Sequence, residues 1–142
     1  MQDRFKFRTY LSDLKFFKYW GWQEENHYIG LCACGDSSMC ELLEKYTMQC
    51  TGLKDKNGKL IYEGDIIQFY IDDDDPYARS FVTMKIVWED YELDFKAIGL
   101  NKNVECYKND YQYLSCINIQ QDELEVIGNI YENPELLEKK NE

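Results

Sequence analysis

Thr51 to Tyr70 reads TGLKDKNGKLIYEGDIIQFY, and this stretch decides the fold class. Asp55-Lys56-Asn57-Gly58 is a turn signal, because Asn-Gly supplies two residues that accept positive φ at low cost, as a tight hairpin turn requires. Lys59 to Tyr62 then reads as a short strand. Glu63-Gly64-Asp65 breaks it, with Gly64 in a conformation that a side chain would disfavour. Ile66 to Ile71 follows as a second strand, rich in β-branched and aromatic residues. Short strands joined by glycine-bearing corners point to a small, strongly coiled antiparallel β-barrel-like core. An ordinary hairpin in a larger sheet is the alternative.

Working outward, Arg4 to Tyr10 alternates, with Arg4, Lys6 and Arg8 against Phe5 and Phe7. That period predicts a half-buried strand whose wet face carries three cations. It is either a small anion site or a solvated face paired with nearby acids. Leu14 to Trp22, LKFFKYWGW, holds five aromatic rings. Core packing accounts for most of them, and exposed ones would mark an interface or a stacking platform for a flat ligand. Polar Gln23 to Asn26 turns the chain into a returning strand from His27 to Cys34. Ser37-Ser38 then precedes a short helix over Met39 to Tyr46, with Met39, Leu42, Leu43 and Tyr46 at helical spacing.

Downstream, Asp72-Asp73-Asp74-Asp75-Pro76 ends the central strand in an acidic loop that continues through Tyr77 and Arg79. It is a solvated loop or a contact for a basic partner, since a calcium loop interleaves its ligands around a glycine. Ser80 to Trp88 and Tyr91 to Ile98 read as an antiparallel hairpin. Tyr111 to Ile119 is ambiguous between strand and short helix. Asp122 to Tyr131 reads as a closing strand bent at Gly128. Asn133-Pro134 starts a short C-terminal helix, with Asn as its cap.

Two of these segments also carry a resemblance. TGLKDKNGKLIYEGDI, with IGNIYENPELLE at Ile127 to Glu138, closely resembles the YopX family of phage and prophage proteins. Phe5-Lys6-Phe7-Arg8 sits where that family opens with a similar strand. The resemblance implies a phage origin, a barrel-like C-terminal core and members that assemble, rather than a particular chemistry. The organisation expected is a mainly β (α+β) protein. An aromatic-rich β-hairpin and short-helix lobe occupies residues 1–50, the YopX-like barrel core 51–133, and a short helix and tail 134–142.

Composition bounds the function. The chain carries 27 acidic and 16 basic residues, a net charge of −11. Such a surface repels phosphate backbones and anionic membranes, so direct nucleic-acid or membrane binding is not expected. No apolar run approaches the length of a membrane span, the N-terminus does not read as a signal peptide, and a cytoplasmic location in the bacterial host follows. The six cysteines are expected to be reduced thiols there. Cys32, Cys34, Cys40 and Cys50 lack the paired spacing of a structural zinc site. The lone histidine, His27, has no nucleophile motif beside it. No metal, cofactor or catalytic set is expected. The chain reads as a non-enzymatic accessory protein that binds a host defence protein or a small nucleotide ligand, and as a homo-oligomer. For sequestering a nucleotide signal, the candidates are Arg4, Arg8, Trp20, Trp22, Tyr77 and Arg79. For an acidic inhibitor or nucleic-acid mimic, they are Asp72, Asp73, Asp74 and Asp75. A small metal-dependent phosphodiesterase or nuclease is the remaining alternative.

Overall fold

In the computed structural model, residues 2–22, 28–29, 46–72, 79–100, 111–113 and 123–138 are described. The chain forms two compact units, Met1–Leu53 and Lys54–Glu142. Among the described residues, both are built mainly from antiparallel strands.

In the first unit a single 3-10 turn, Gln2–Phe5, leads into β1 (Lys6–Leu11). Then come β2 (Phe16–Trp22), β3 (Tyr28–Ile29) and β4 (Thr47–Lys54). The sheet order is β3-β2-β1-β4, so β1 is paired on both sides. Phe7 sits opposite Trp20 on β2 and Gln49 on β4, and Arg8 opposite Tyr19 and Met48. This central place overturns the expected wet face at Arg8, which is buried, and Arg4 lies in the 3-10 turn before the strand; Lys6 pairs with Asp3 at 2.8 Å, as a face paired with nearby acids would. The expected helix over 39–46 lies outside the described residues, apart from Tyr46, as do His27, Cys32, Cys34 and Cys40.

The second unit opens on the turn after β4. Gly58 N–H donates to the Asp55 carbonyl, and Asp55 N–H to the Lys59 carbonyl, both at 2.9 Å. Positive φ is confined to Gly58, at 80°. The loop is therefore a type I turn closed by a left-handed glycine, not the tight turn with two positive-φ residues that Asn57-Gly58 suggests. β5 (Leu60–Tyr62) follows. A corner with Gly64 at φ 80° then leads into β6 (Asp65–Asp72). The remaining strands are β7 (Arg79–Glu89), β8 (Asp94–Gly99), β9 (Tyr111–Tyr113) and β10 (Glu125–Asn129).

Their order is β10-β6-β7-β8-β9, all antiparallel. Alternation puts Ile67, Phe69, Val82, Met84, Ile86, Phe95 and Ala97 on one face, and all are buried. Among the described residues β9 and β10 lie at opposite ends of this order and no pairing joins them, so the expected barrel is an open sheet there. The β7–β8 pairing ends at Glu89 and Asp94, so Tyr91 and Leu93 are exposed loop residues rather than part of the strand expected from Tyr91 to Ile98. Leu93 adopts φ 53°, which takes it out of extended backbone.

β10 is bulged as its Gly128 suggests: Val126 pairs with Ile67 and Gly128 with Ile66, leaving Ile127 as the extra residue. The C-terminal helix is one 3-10 turn, Pro134–Leu136. Asn133 does not cap it with its side chain, because its Oδ1 accepts the Asn129 N–H at 3.3 Å instead. A methyl group on Gly128 would lie 2.5 Å from that Oδ1. At Gly58, by contrast, an added methyl meets nothing within 4 Å, so only the left-handed φ is penalised, by about 1 kcal/mol. Gly128→Ala should therefore lower the urea midpoint more than Gly58→Ala does, and truncating Asn133 to Gly in the Gly128→Ala background should recover part of the loss.

Candidate binding surface

The aromatic residues of the first unit divide between the two faces of its sheet. On one face Phe7 and Trp20 stack at 4.5 Å between centroids, with 19° between planes. Trp20 Nε1 donates to Thr9 Oγ1 at 3.1 Å, and Thr9 Oγ1 lies 2.8 Å from Thr47 Oγ1. Thr9 is fully buried, so the indole is fixed by one ring and one hydroxyl. On the other face the Arg8 guanidinium lies 4.5 Å from the Phe17 ring centroid. Phe17 also contacts Tyr10 at 5.1 Å and Tyr19 at 6.5 Å between centroids. Arg8 is 3% exposed, whereas Tyr19 is 51% exposed. A cation held over a ring in this way needs little water, which suits guanidinium better than ammonium.

This division decides what the sequence-predicted residues can do together. Arg8 and Trp20 point to opposite faces, because their strand positions are offset by one in register. They do not form one pocket. Arg4 is exposed, and its carbonyl accepts the Gln49 side-chain amide at 2.9 Å. Trp22 ends β2 opposite Tyr28, and its side chain is outside the described set. Asp72 and Arg79 are paired positions at the end of the β6–β7 hairpin. Asp73, Asp74, Asp75 and Tyr77, in the loop between them, lie outside the described residues.

Three features escaped the sequence reading. The first is the Arg8–Phe17 stack with Tyr10 and Tyr19 beside it, for which the LKFFKYWGW ring density was the available signal. The second is an exposed cross-strand pair on the other unit, Tyr70 and Phe81, with centroids 3.8 Å apart. The third is Asp55, a buried carboxylate whose Asp-x-Asn-Gly context is a side-chain turn signature. Lys56, next to it, forms a 2.7 Å ion pair with Glu125, and this hydrogen bond is the main reason its pKa is raised. Among the described residues no group of three or more His, Cys, Asp and Glu side chains converges as a metal site would. No helix among them is long and apolar enough to cross a membrane.

The family model of the YopX protein matches residues 6–138, nearly the whole chain. The chain belongs to the YopX family. The crystal structure of protein EF1440 from Enterococcus faecalis is similar to this chain, with a TM-score of 0.51 and 27% identity. The match covers 93% of this chain and 96% of that one. No curated protein shows significant similarity to it. The YopX match spans both units, so the aromatic first sheet lies inside the family region rather than being an appendage.

The buried guanidinium offers a direct check on this surface. Arg8→Lys should lower the thermal midpoint nearly as much as Arg8→Ala, because an ammonium is more strongly hydrated than a guanidinium and is costly to bury. A surface arginine would show almost no effect of either change.

Proposed function

We propose that this YopX-family protein is a non-enzymatic phage accessory protein that acts by binding in the cytoplasm of the bacterial host. In its most specific form it serves counter-defence by sequestering a host immune nucleotide signal. The observation that carries this reading is the Arg8–Phe17 stack beside half-exposed Tyr19. The half-exposed Tyr19 beside the partly exposed Phe17 is a stacking platform suited to a base, and the buried Arg8 steadies Phe17 rather than meeting a phosphate itself. The acidic charge of the whole does not oppose such a ligand strongly, since a small signal meets one local patch rather than the entire surface. Assembly of several copies, which the family resemblance implies, belongs to the same reading.

Titration calorimetry against a panel of cyclic nucleotides and nucleotide-ribose signals tests it. One class should bind, and Tyr19→Ala should weaken that binding about tenfold or more, as expected for loss of one stacked base at roughly 1–3 kcal/mol. Absence of heat with every member of the panel would contradict the proposal.

A second reading, an acidic inhibitor of a DNA-binding restriction or CRISPR effector, is favoured by a separate observation. Lys6, Lys56 and Lys96 each lie within 2.9 Å of a carboxylate, so part of the chain's sparse positive charge is already matched. The remaining acidic excess is available to a basic partner. In that case replacing Asp72, Asp73, Asp74 and Asp75 by Asn should abolish inhibition of the effector's DNA cleavage, and unchanged inhibition would remove this loop from the reading.

A further inference from the structure

β10 stands at one end of the second unit's sheet, with β6 as its paired neighbour among the described residues. Its other edge is met by the turn between β4 and β5. Lys56 N–H donates to the Leu124 carbonyl at 2.8 Å, and Val126 N–H donates to Asp55 Oδ2 at 3.1 Å. One backbone amide and one carboxylate oxygen thus occupy the acceptor and donor that a further strand would take. The plug is itself rigid: Asp55 Oδ1 accepts the Asn57 and Lys59 N–H groups, both at 2.9 Å, and Asp55 is 6% exposed. The Lys56–Glu125 ion pair adds two charged side chains along the same edge.

An edge strand with unpaired backbone groups is a template for pairing with another chain, and natural sheets block such edges with charge, irregularity or a covering loop. We infer that the Asp55–Lys56 turn is an edge guard that keeps β10 from adding a strand from a second copy of this chain. The partner that fits the unguarded edge is the same edge of another molecule, antiparallel about a two-fold axis, since such an edge is complementary to itself. The charged pair discourages that approach, and the two backbone-directed bonds forbid it while they last. Asp55 is therefore a determinant of assembly as well as of the turn.

Sedimentation velocity over a concentration series tests the inference on the full chain. Asp55→Ala removes the acceptor for Val126. Lys56→Pro removes the donor to Leu124 while suiting the second position of a type I turn. Both should convert the wild-type species, at rising concentration, to one of twice its mass. Adding Val126→Pro to Asp55→Ala removes the exposed N–H and should restore the wild-type profile. Lys56→Ala, which loses the ion pair but keeps the amide, should sediment as wild type. The inference is overturned if Lys56→Pro and Asp55→Ala keep the wild-type mass throughout, or if the larger species survives Val126→Pro. Should Asp55→Ala fail to fold, Lys56→Pro, which retains the turn, decides the matter.

Discussion

The second unit depends on one buried carboxylate. Asp55 accepts three backbone N–H groups, from Asn57, Lys59 and Val126, at 2.9, 2.9 and 3.1 Å. A carboxylate is the side chain suited to this, since it accepts at several positions and donates at none. Hydrogen bonds to a charged group contribute roughly 1.5–3 kcal/mol each, more than neutral ones, and losing the acceptor would take this partner from three amides at once. Two of the three bonds shape the turn, and the third joins it to a strand 71 residues away in sequence. Local and long-range order are thus fixed by the same atoms.

A second aspartate repeats the device ten residues on. Asp65, fully buried, accepts the Tyr62 N–H at 2.8 Å through Oδ2. Between them Gly64 donates its N–H to the Ile86 carbonyl on β7 and accepts from the Ile130 N–H just past β10. The corner therefore touches both the strand after β6 and the segment that follows β10. The central stretch and the C-terminal segment, distant in sequence, are thus bonded to each other. At the far end, Asn129 Oδ1 accepts the Tyr131 and Glu132 N–H groups, and Asn133 closes back on Asn129. Asp55, Asp65, Asn129 and Asn133 thus all act by shaping backbone.

That division also explains what could be read in advance. The strands from Ile66 to Tyr70 and from Phe81 to Trp88 were legible because alternation and β-branched residues report burial on a pleated surface. The Gly128 bulge was legible because a glycine inside a strand has few other uses. Leu93 was misplaced because its apolar character continued the alternation, while its φ of 53° is set by where the pairing ends. Arg8 was misplaced for a related reason. Its charge predicts water, and only the pairing of β1 on both sides, with Phe17 beneath the guanidinium, shows that it is buried. Residue type alone groups Arg8 with Trp20, and register separates them. The sequence could not show this, since face assignment depends on which strands are neighbours.

One face of the first sheet, rather than scattered rings and arginines, carries the proposed binding role. The central stretch supplies architecture and control of a sheet edge. Its claim to be the organising element rests on Asp55 coupling the turn to β10, and amide hydrogen exchange of the wild-type protein followed by NMR measures that coupling most directly. The amides of Asn57, Lys59 and Val126 should exchange slowly and with a common opening free energy, in the same class as the buried strands β6 and β7. Fast exchange at Val126 while β6 and β7 stay protected would show that the carboxylate does not join the turn to the strand, and would contradict the account.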